Sequence, residues 1–319
     1  MSVLVFAQSS EGKFKKIAFE AVSYGKKIAT QLGTQIIALT INAENASELA
    51  AYGADKIVKV NNGDLANFNA KIIASIIEQA AKKENSEVII IDSSSNGLYL
   101  APTVAARLEA GYASNVIAEP SSTAPFTVKR KAFSNKAFNY TEISTTIKVL
   151  GLAKNSVGVL ENRTNATEED FSPEIISSGV KSISINKSAG KVSIADADIV
   201  VSGGRGLKGP ENWSLIEGLA EVLGAATACS KPVSDLGWRP HGEHVGQTGK
   251  PVASNLYIAI GISGAIQHLA GVNASKVKVV INTDPEAPFF KAADYGIVGD
   301  AFEVVPQLIE KLKEFKQKD

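Results

Sequence analysis

Short apolar runs alternate with amphipathic stretches along the first half of the chain. Val3 to Ala7 and Ile36 to Ile41 have strand length, and Phe14 to Leu32 between them carries apolar residues at three- and four-residue steps. Those steps place apolar side chains on one helix face, which must cover a sheet. A second stripe from Leu65 to Ala80 precedes the continuous apolar run Val88 to Ile91, typical of a strand buried on both faces. The order predicts a parallel α/β sheet.

The pattern changes to a period of two between about Asn115 and Val159. Phe126 to Arg130 and Ile143 to Val149 alternate polar with apolar or β-branched residues. Both segments predict antiparallel strands added to the first sheet. The polar and acidic stretch from Asn162 to Ser172 predicts an exposed loop.

A second α/β pattern begins near Val192. Its predicted elements are a strand over 198–201, a helix over 213–223, strands over 256–262 and 276–281, and a closing helix with an apolar stripe from Val305 to Phe315. We therefore expect two α/β domains with largely parallel sheets. The domains are 1–187, with the added antiparallel strands, and 188–319, with a Rossmann-like nucleotide-binding fold.

Composition narrows the class of protein. The chain has 319 residues, enough for two domains, and 33 basic residues balance 33 acidic ones, so net charge gives no argument for binding nucleic acid. Cys229 is the only cysteine, which fits a reducing compartment. No apolar run approaches the length of about 20 residues that spans a bilayer, and no leader pattern precedes the first strand. We expect a soluble, cytoplasmic protein that is not embedded in a membrane.

Gly203-Gly204-Arg205-Gly206 follows the first strand of the second pattern. Glycines at such a turn let backbone N–H groups approach a phosphate, and an arginine can pair with its oxygens. The motif indicates a nucleotide, and the alternative is a tight turn with one exposed arginine. It lacks the Gly-x-Gly-x-x-Gly spacing of dinucleotide dehydrogenases.

A second polar loop, Val245-Gly246-Gln247-Thr248-Gly249-Lys250, precedes a predicted strand. Its amide and hydroxyl side chains can hydrogen-bond the polar edge of a heterocycle. The loop is not a Walker A motif, because Pro251 stands where Ser or Thr is required.

The segment Gly261 to His268 leaves a strand and enters a helix. Ser263 is the expected N-cap, and the free N–H groups behind it would suit a pyrophosphate. His268 could donate a hydrogen bond to an anionic ring atom, or it could be a packed histidine satisfied by a carbonyl.

Two acidic loops and one histidine pair complete the candidate chemistry. Ile281 to Pro288 and Asp294 to Asp300 are predicted loops after parallel strands, where α/β folds bind ligands, although their carboxylates could equally be caps or solvated turns. His241 and His244 are spaced like metal ligands, but no third ligand is nearby in the sequence, so we predict a polar loop.

Taken together, these motifs resemble the α subunit of electron-transfer flavoproteins. The resemblance is carried by 203–206, 245–250 and above all 256–271, and it continues through Asn282, 284–288 and 293–298. It implies an FAD site in this chain and a β-subunit partner that holds AMP. Thr248 and His268 are expected near the flavin ring, and Ser263, Asn282 and Asp300 nearer the ADP portion. The full set of expected FAD-binding residues is Arg205, Ser230, Lys231, Val245, Gly246, Gln247, Thr248, Ser263, Gly264, Ala265, Ile266, Gln267, His268, Asn282, Asp300 and Ala301.

One position departs from the family pattern. Most members carry Ser-Arg beside the flavin, whereas this chain has Ser230-Lys231. Lysine keeps the charge but loses the planar, bidentate guanidinium, so we expect altered one-electron potentials.

The resemblance implies an electron carrier rather than an enzyme with its own substrate. In this family FAD performs the redox chemistry, acyl-CoA dehydrogenases of fatty acid β-oxidation are the usual donors, and a quinone oxidoreductase of the respiratory chain is the usual acceptor. The sequence contains no recognisable acid–base pair. The alternatives are an FAD-dependent dehydrogenase with a small substrate, an electron-bifurcating subunit, and a nucleotide-stabilised scaffold without turnover.

Overall fold

The computed structural model describes residues 1–133, 135–180, 182–183 and 193–317. The chain divides into two compact units, Met1–Ile185 and Asn186–Asp319. The predicted boundary between residues 187 and 188 lies outside the described residues and stays a prediction.

The first unit combines one large sheet with three helices. Its elements are β1 (Ser2–Phe6), β2 (Ser9–Ser10), β3 (Lys13–Phe14), α1 (Lys16–Leu32), β4 (Ile36–Ile41), β5 (Lys56–Val60), α2 (Ala70–Lys83), β6 (Ser86–Asp92), α3 (Ser95–Arg107), β7 (Gly111–Val116), β8 (Ser122–Thr123), β9 (Phe126–Ala132), β10 (Ala137–Ile143), β11 (Lys148–Leu152) and β12 (Thr167–Asp170). The ten-stranded sheet runs β10-β9-β7-β11-β6-β1-β4-β5-β12, and β8 pairs with β9.

The apolar runs form the centre of this sheet. β1 pairs in parallel with both β4 and β6, as the unbroken apolar pattern predicted. Alternate residues of β1 serve two cores, because Val3 and Val5 pack with α1 whereas Leu4 and Phe6 pack with α2 and α3. Helices therefore cover both faces, and the parallel α/β class is confirmed.

The prediction of an antiparallel strand over Ile143 to Val149 is wrong. β10 ends at Ile143, residues 144–147 turn, and β11 then pairs in parallel with β6 and β7 in the middle of the sheet. Val149 to Leu152 are buried, which is the property of a central parallel strand. The serine and threonines of this turn produce the same alternation of residue types as a strand, which explains the wrong prediction. The other segment, Phe126 to Arg130, does lie in an antiparallel strand, β9, which pairs with β10.

The predicted loop over Asn162 to Ser172 also contains a strand. β12 pairs in parallel with β5 at the edge of the sheet. The Lys56 ammonium lies 2.7 Å from the Glu169 carboxylate, and the Lys59 ammonium lies 2.9 Å from that of Glu168. The pKa of Glu169 is lowered to about 2 by hydrogen bonds from Lys56 and Lys83. Charge pairing, rather than an apolar face, therefore selects this edge strand.

The second unit is a five-stranded parallel sheet with four helices in its described part. Its elements are β13 (Ile199–Gly203), α4 (Ser214–Leu223), β14 (Ala226–Cys229), α5 (Lys231–Asp235), β15 (Leu256–Ile260), α6 (Ile266–Val272), β16 (Val277–Asn282), β17 (Tyr295–Val298) and α7 (Ala301–Lys316). The strand order is β14-β13-β15-β16-β17. Alternate residues of β15 again face two cores, with Ile258 and Ile260 in one, and Tyr257 and Ala259 in the other.

Two details of the second unit differ from the sequence prediction. In order of appearance its strands are arranged 2-1-3-4-5, the flavodoxin-type arrangement, rather than the 3-2-1-4-5-6 order of dinucleotide-binding Rossmann folds. The predicted acidic loop over Asp294 to Asp300 contains β17, which pairs with β16. β17 is a four-residue, exposed edge strand, too short to show a periodic pattern. Among the described residues, no helix is both long and apolar enough to cross a membrane.

Candidate functional site

A cavity of about 620 Å³ opens at the carboxyl ends of β13, β14, β15 and β16. The chain leaves β13 for β14 on one side and then crosses to β15 on the other side of β13, so the direction of the connections reverses here. Such a switch point is where doubly wound sheets bind their ligands, and the volume lies within the usual range of ligand sites.

Most of the expected FAD-binding residues line this cavity. They are Arg205, Ser230, Lys231, Val245, Gly246, Gln247, Thr248, Ser263, Gly264, Ala265, Gln267, His268 and Asn282. Ile266, Asp300 and Ala301 do not line it. The Ile266 side chain is 68% exposed, and Asp300 caps α7 by accepting the Phe302 N–H at 3.0 Å. Contact of any of these residues with FAD stays a prediction.

The cavity also has lining residues outside the expected set, of which only Pro232, Asp235 and His244 lie outside the segments that were predicted to bind a ligand. They are Gly206, Pro232, Asp235, His244, Gly261, Ile262 and Asp284. Pro232 and Asp235 belong to α5, which begins directly after Ser230, so one short helix brings them to the wall. His244 belongs to the segment that was predicted to be only a polar loop. No sequence pattern relates His244 to Cys229. An isolated β-bridge between these two residues is what places His244 at the cavity wall.

The glycines after β13 form the tight turn that was the alternative to a phosphate-binding role. The Gly204 N–H donates to the Ile260 carbonyl at 2.9 Å, and the Gly206 N–H donates to the Gly261 carbonyl at 3.1 Å. A Cβ on Gly204 would lie 2.1 Å from the Gly261 oxygen. These residues therefore pack two strand-end loops against each other, and their N–H groups are not free to bind a phosphate. The close approach explains glycine here without a ligand.

The loop from β15 into α6 supplies the free donors instead. Gly261 and Gly264 have φ of +63° and +86°, left-handed values that favour glycine. The predicted N-cap Ser263 is wrong, because the helix begins two residues later with Ala265 as N-cap and no side-chain cap. The N–H groups of residues 264–267 donate to no acceptor among the described residues. A run of unpaired N–H groups at the cavity wall fits an anionic group.

His268 is a buried, neutral histidine at the cavity wall. Its side chain is 7% exposed, and its Nε2 lies 3.0 Å from the Tyr257 hydroxyl. Burial, followed by the neighbouring His244, lowers the pKa of His268 to about 4, while the Val245 backbone acts in the opposite direction. Nδ1 makes no hydrogen bond to a described residue. The packed alternative is therefore correct about burial, and the Tyr257 hydroxyl is a hydrogen-bonding partner.

The loop Val245 to Lys250 is held by its backbone and presents side chains to the cavity. The Val245 N–H donates to the Cys229 carbonyl at 3.0 Å, and the Gln247 N–H donates to the Gln267 carbonyl at 2.7 Å. The Gln247 and Thr248 side chains are exposed and line the cavity. Because the main chain already anchors the loop, these side chains are available to a ligand.

These features fit an anionic dinucleotide such as FAD. The wall combines two cationic side chains, Arg205 and Lys231, with the free N–H groups before α6 and the unpaired Nδ1 of His268. These donors and cationic groups at the wall can therefore bind a ligand. No group of three His, Cys, Asp or Glu residues within the described ranges could hold a metal ion.

Comparison with known proteins agrees with this geometry. Residues 3–176 match the model of the electron transfer flavoprotein domain, and residues 193–273 match that of the electron transfer flavoprotein FAD-binding domain. The chain is 35% identical to the electron transfer flavoprotein subunit alpha of Bacillus subtilis, over 98% of this chain and 97% of the relative. It is 37% identical to that of Thermoanaerobacterium thermosaccharolyticum, over 98% of both chains.

A third relative gives the same result. The electron transfer flavoprotein subunit alpha of Syntrophomonas wolfei is 36% identical over 97% of this chain and 98% of its own length. The FAD-binding description of the matched model makes FAD the cofactor of the second unit. The chain belongs to the electron transfer flavoprotein alpha-subunit family.

Proposed function

We propose that the chain is the FAD-holding half of a heterodimer with an electron transfer flavoprotein β subunit that carries AMP. Its electrons come from dehydrogenases such as acyl-CoA dehydrogenases and pass to a quinone oxidoreductase. The cavity at the switch point carries this proposal, because its free N–H groups and cationic side chains lie in the family's FAD-binding domain.

Each part of the cavity wall has a task in holding the cofactor. The N–H groups before α6 and the Arg205 guanidinium bind the pyrophosphate. Gln247 and Thr248 hydrogen-bond the polar edge of the ring system, and Asn282 holds the Ile262 carbonyl through its side-chain N–H at 3.1 Å. Bound FAD supplies the acceptance and release of electrons.

The charge that favours reduction of the cofactor comes from lysine and arginine rather than from His268. With a pKa of about 4, His268 is neutral near pH 7, so it can offer the cofactor a hydrogen bond but no positive charge. Lys231 and Arg205 are the cationic side chains that line the same wall. A cation next to a group that gains negative charge stabilises the reduced form.

A spectroscopic experiment tests the proposed function. The chain is co-expressed and purified with its β subunit, and its visible absorption is recorded before and after mixing with an acyl-CoA dehydrogenase and acyl-CoA. We expect bound flavin that is bleached only when the dehydrogenase is present. Bleaching by a small metabolite alone would favour the independent dehydrogenase, and flavin that no dehydrogenase reduces would favour the scaffold.

Replacing Lys231 by arginine tests the charge next to the ring. We expect Lys231→Arg to raise the one-electron reduction potential, because the planar guanidinium donates two bonds to an acceptor that gains charge. The shift is on the order of 30–60 mV, as a tenfold change in a one-electron equilibrium is about 59 mV. Potentiometric titration measures it, with Lys311→Arg on the exposed face of α7 as control. Equal potentials in all three proteins would contradict the role of Lys231.

A further inference from the structure

All three histidines of the chain belong to this one site. His244 and His268 line the cavity, and the His241 ring stacks on that of His244 with 5.9 Å between ring centroids. Nothing in the binding scheme above uses His241 or His244. Their placement calls for a separate explanation, since neither belongs to a described group that could hold a metal ion.

The stacked pair lies between solvent and the cavity wall. His241 is exposed, and its Nδ1 lies 2.7 Å from the Ser234 hydroxyl. His244 is only 4% exposed, and its Nε2 lies 3.4 Å from the position that a Cβ on Gly246 would occupy. The backbone carbonyl of His244 accepts the Lys250 N–H at 2.8 Å, which fixes the residue in place. The His241 imidazole is therefore exposed to solvent, and the His244 imidazole lies at the cavity wall.

Titratable groups from several elements surround His244. Burial and the neighbouring His241 lower its pKa, Asp235 of α5 raises it, and Lys231 of α5 lowers it. The remaining neighbours are His268 of α6, Lys250 of the following loop, Glu243, whose carboxylate is held at 2.8 Å by Arg239, and the Cys229 thiol of β14, whose pKa is raised to about 12 by burial. Burial and positive neighbours thus favour the neutral form of His244, and a negative charge in the cavity would act in the opposite direction.

We propose that His244, with His241 as its link to solvent, takes up a proton when the bound cofactor is reduced and so balances the added negative charge. This inference rests on the proposed function. The electron comes from the donor dehydrogenase. The proton comes from a buffer acid or hydronium ion in the solvent, which becomes its conjugate base, and it forms one N–H bond on the His244 imidazole. His244 acts as a positioning residue for charge, not as a group that reacts with the cofactor.

Thermodynamic linkage makes the inference measurable in the unmodified protein. If reduction favours protonation of His244, then protonation must favour reduction by the same factor. In the FAD-loaded heterodimer, NMR titration of the histidine ring protons should show a proton affinity of His244 at least tenfold higher in the reduced state than in the oxidised state. His241→Gln and His268→Gln assign the resonances. Equal affinity in the two states would overturn the inference.

Potentiometry over about pH 5.5–8 gives the second readout. The wild-type potential should change more steeply with pH than that of His244→Gln, and His241→Gln should lie between them or slow the approach to equilibrium. Lys311→Gln, which removes an exposed charge far along α7, should keep the wild-type slope. Identical slopes in a flavin-loaded His244→Gln protein would refute the inference while leaving the proposed function intact. Should His244→Gln fail to fold, the wild-type NMR titration alone decides.

Discussion

Gly204→Ala is expected to destabilise the second unit by about 2–3 kcal/mol and to abolish stable FAD binding. Gly204 has φ of −111°, so alanine is tolerated by the backbone conformation itself. The obstacle is the neighbouring loop, because the new Cβ would lie 2.1 Å from the Gly261 oxygen and 2.8 Å from the Ile262 side chain. The ends of β13 and β15 must separate, and the hydrogen bond from the Gly204 N–H to the Ile260 carbonyl at 2.9 Å is lost.

Thermal unfolding and flavin content measure this effect. A loss of this size lowers Tm by on the order of 10 °C. Gly218→Ala is the matched control, since Gly218 lies inside α4 and its added Cβ would make only an ordinary contact, 3.5 Å from Ile309. That variant should gain about 0.5–1 kcal/mol from the better helix propensity of alanine. If the two variants had the same stability, the close approach of the two loops would not be a requirement of the fold.

The apoprotein should lose stability between about pH 6.5 and pH 4 because of His268. The pKa of this residue falls from 6.5 to about 4 on folding, chiefly through burial. The folded-state pKa is depressed, so the unfolded chain binds more protons in this window and stability falls as pH falls. The stability contributed by the neutral imidazole is complete above pH 6.5 and amounts to at most about 3 kcal/mol. His244, whose pKa is also lowered, adds a loss of the same sign.

Urea unfolding at about pH 7 and about pH 4.5 measures this loss, with His268→Gln as the reference. Glutamine can hydrogen-bond the Tyr257 hydroxyl but does not titrate, so the variant should be less stable at neutral pH yet lose less on acidification. The difference between the two proteins removes the contribution of carboxylates that titrate in both. A parallel decline would mean that His268 is protonated in the folded protein without cost.

Much of the fold could be predicted from apolar periodicity. The two edge strands that were not predicted were missed for the same physical reason. The centre of each sheet was predictable because strands buried on both faces are continuous apolar runs. β12 and β17 were missed because edge strands need no apolar pattern. β12 is selected by Lys56 and Lys59, and β17 is four exposed residues beside β16. Edge pairing depends on a partner distant in sequence, which no local pattern reveals.

The candidate site shows the same division. The motif-bearing residues could be predicted because they lie at strand ends, which a parallel sheet brings to one edge. The function of individual groups could not. The N–H groups of Gly204 and Gly206 donate to neighbouring carbonyls. The helix start shifts from Ser263 to Ala265, and His244 reaches the wall through a bridge to Cys229. Each of these depends on tertiary contacts between segments that the sequence separates.

The central claim is that the start of α6 in this cavity holds the anionic part of FAD, and a charge reversal at Ala265 tests it most directly. Asparagine and aspartate are nearly isosteric and are equally good N-caps, so both variants should keep α6 folded. FAD affinity of the heterodimer is measured by flavin titration of the apoprotein. We predict that Ala265→Asp binds FAD about 10- to 100-fold more weakly than Ala265→Asn, because a carboxylate repels the pyrophosphate. Equal affinity of the two variants would contradict the account.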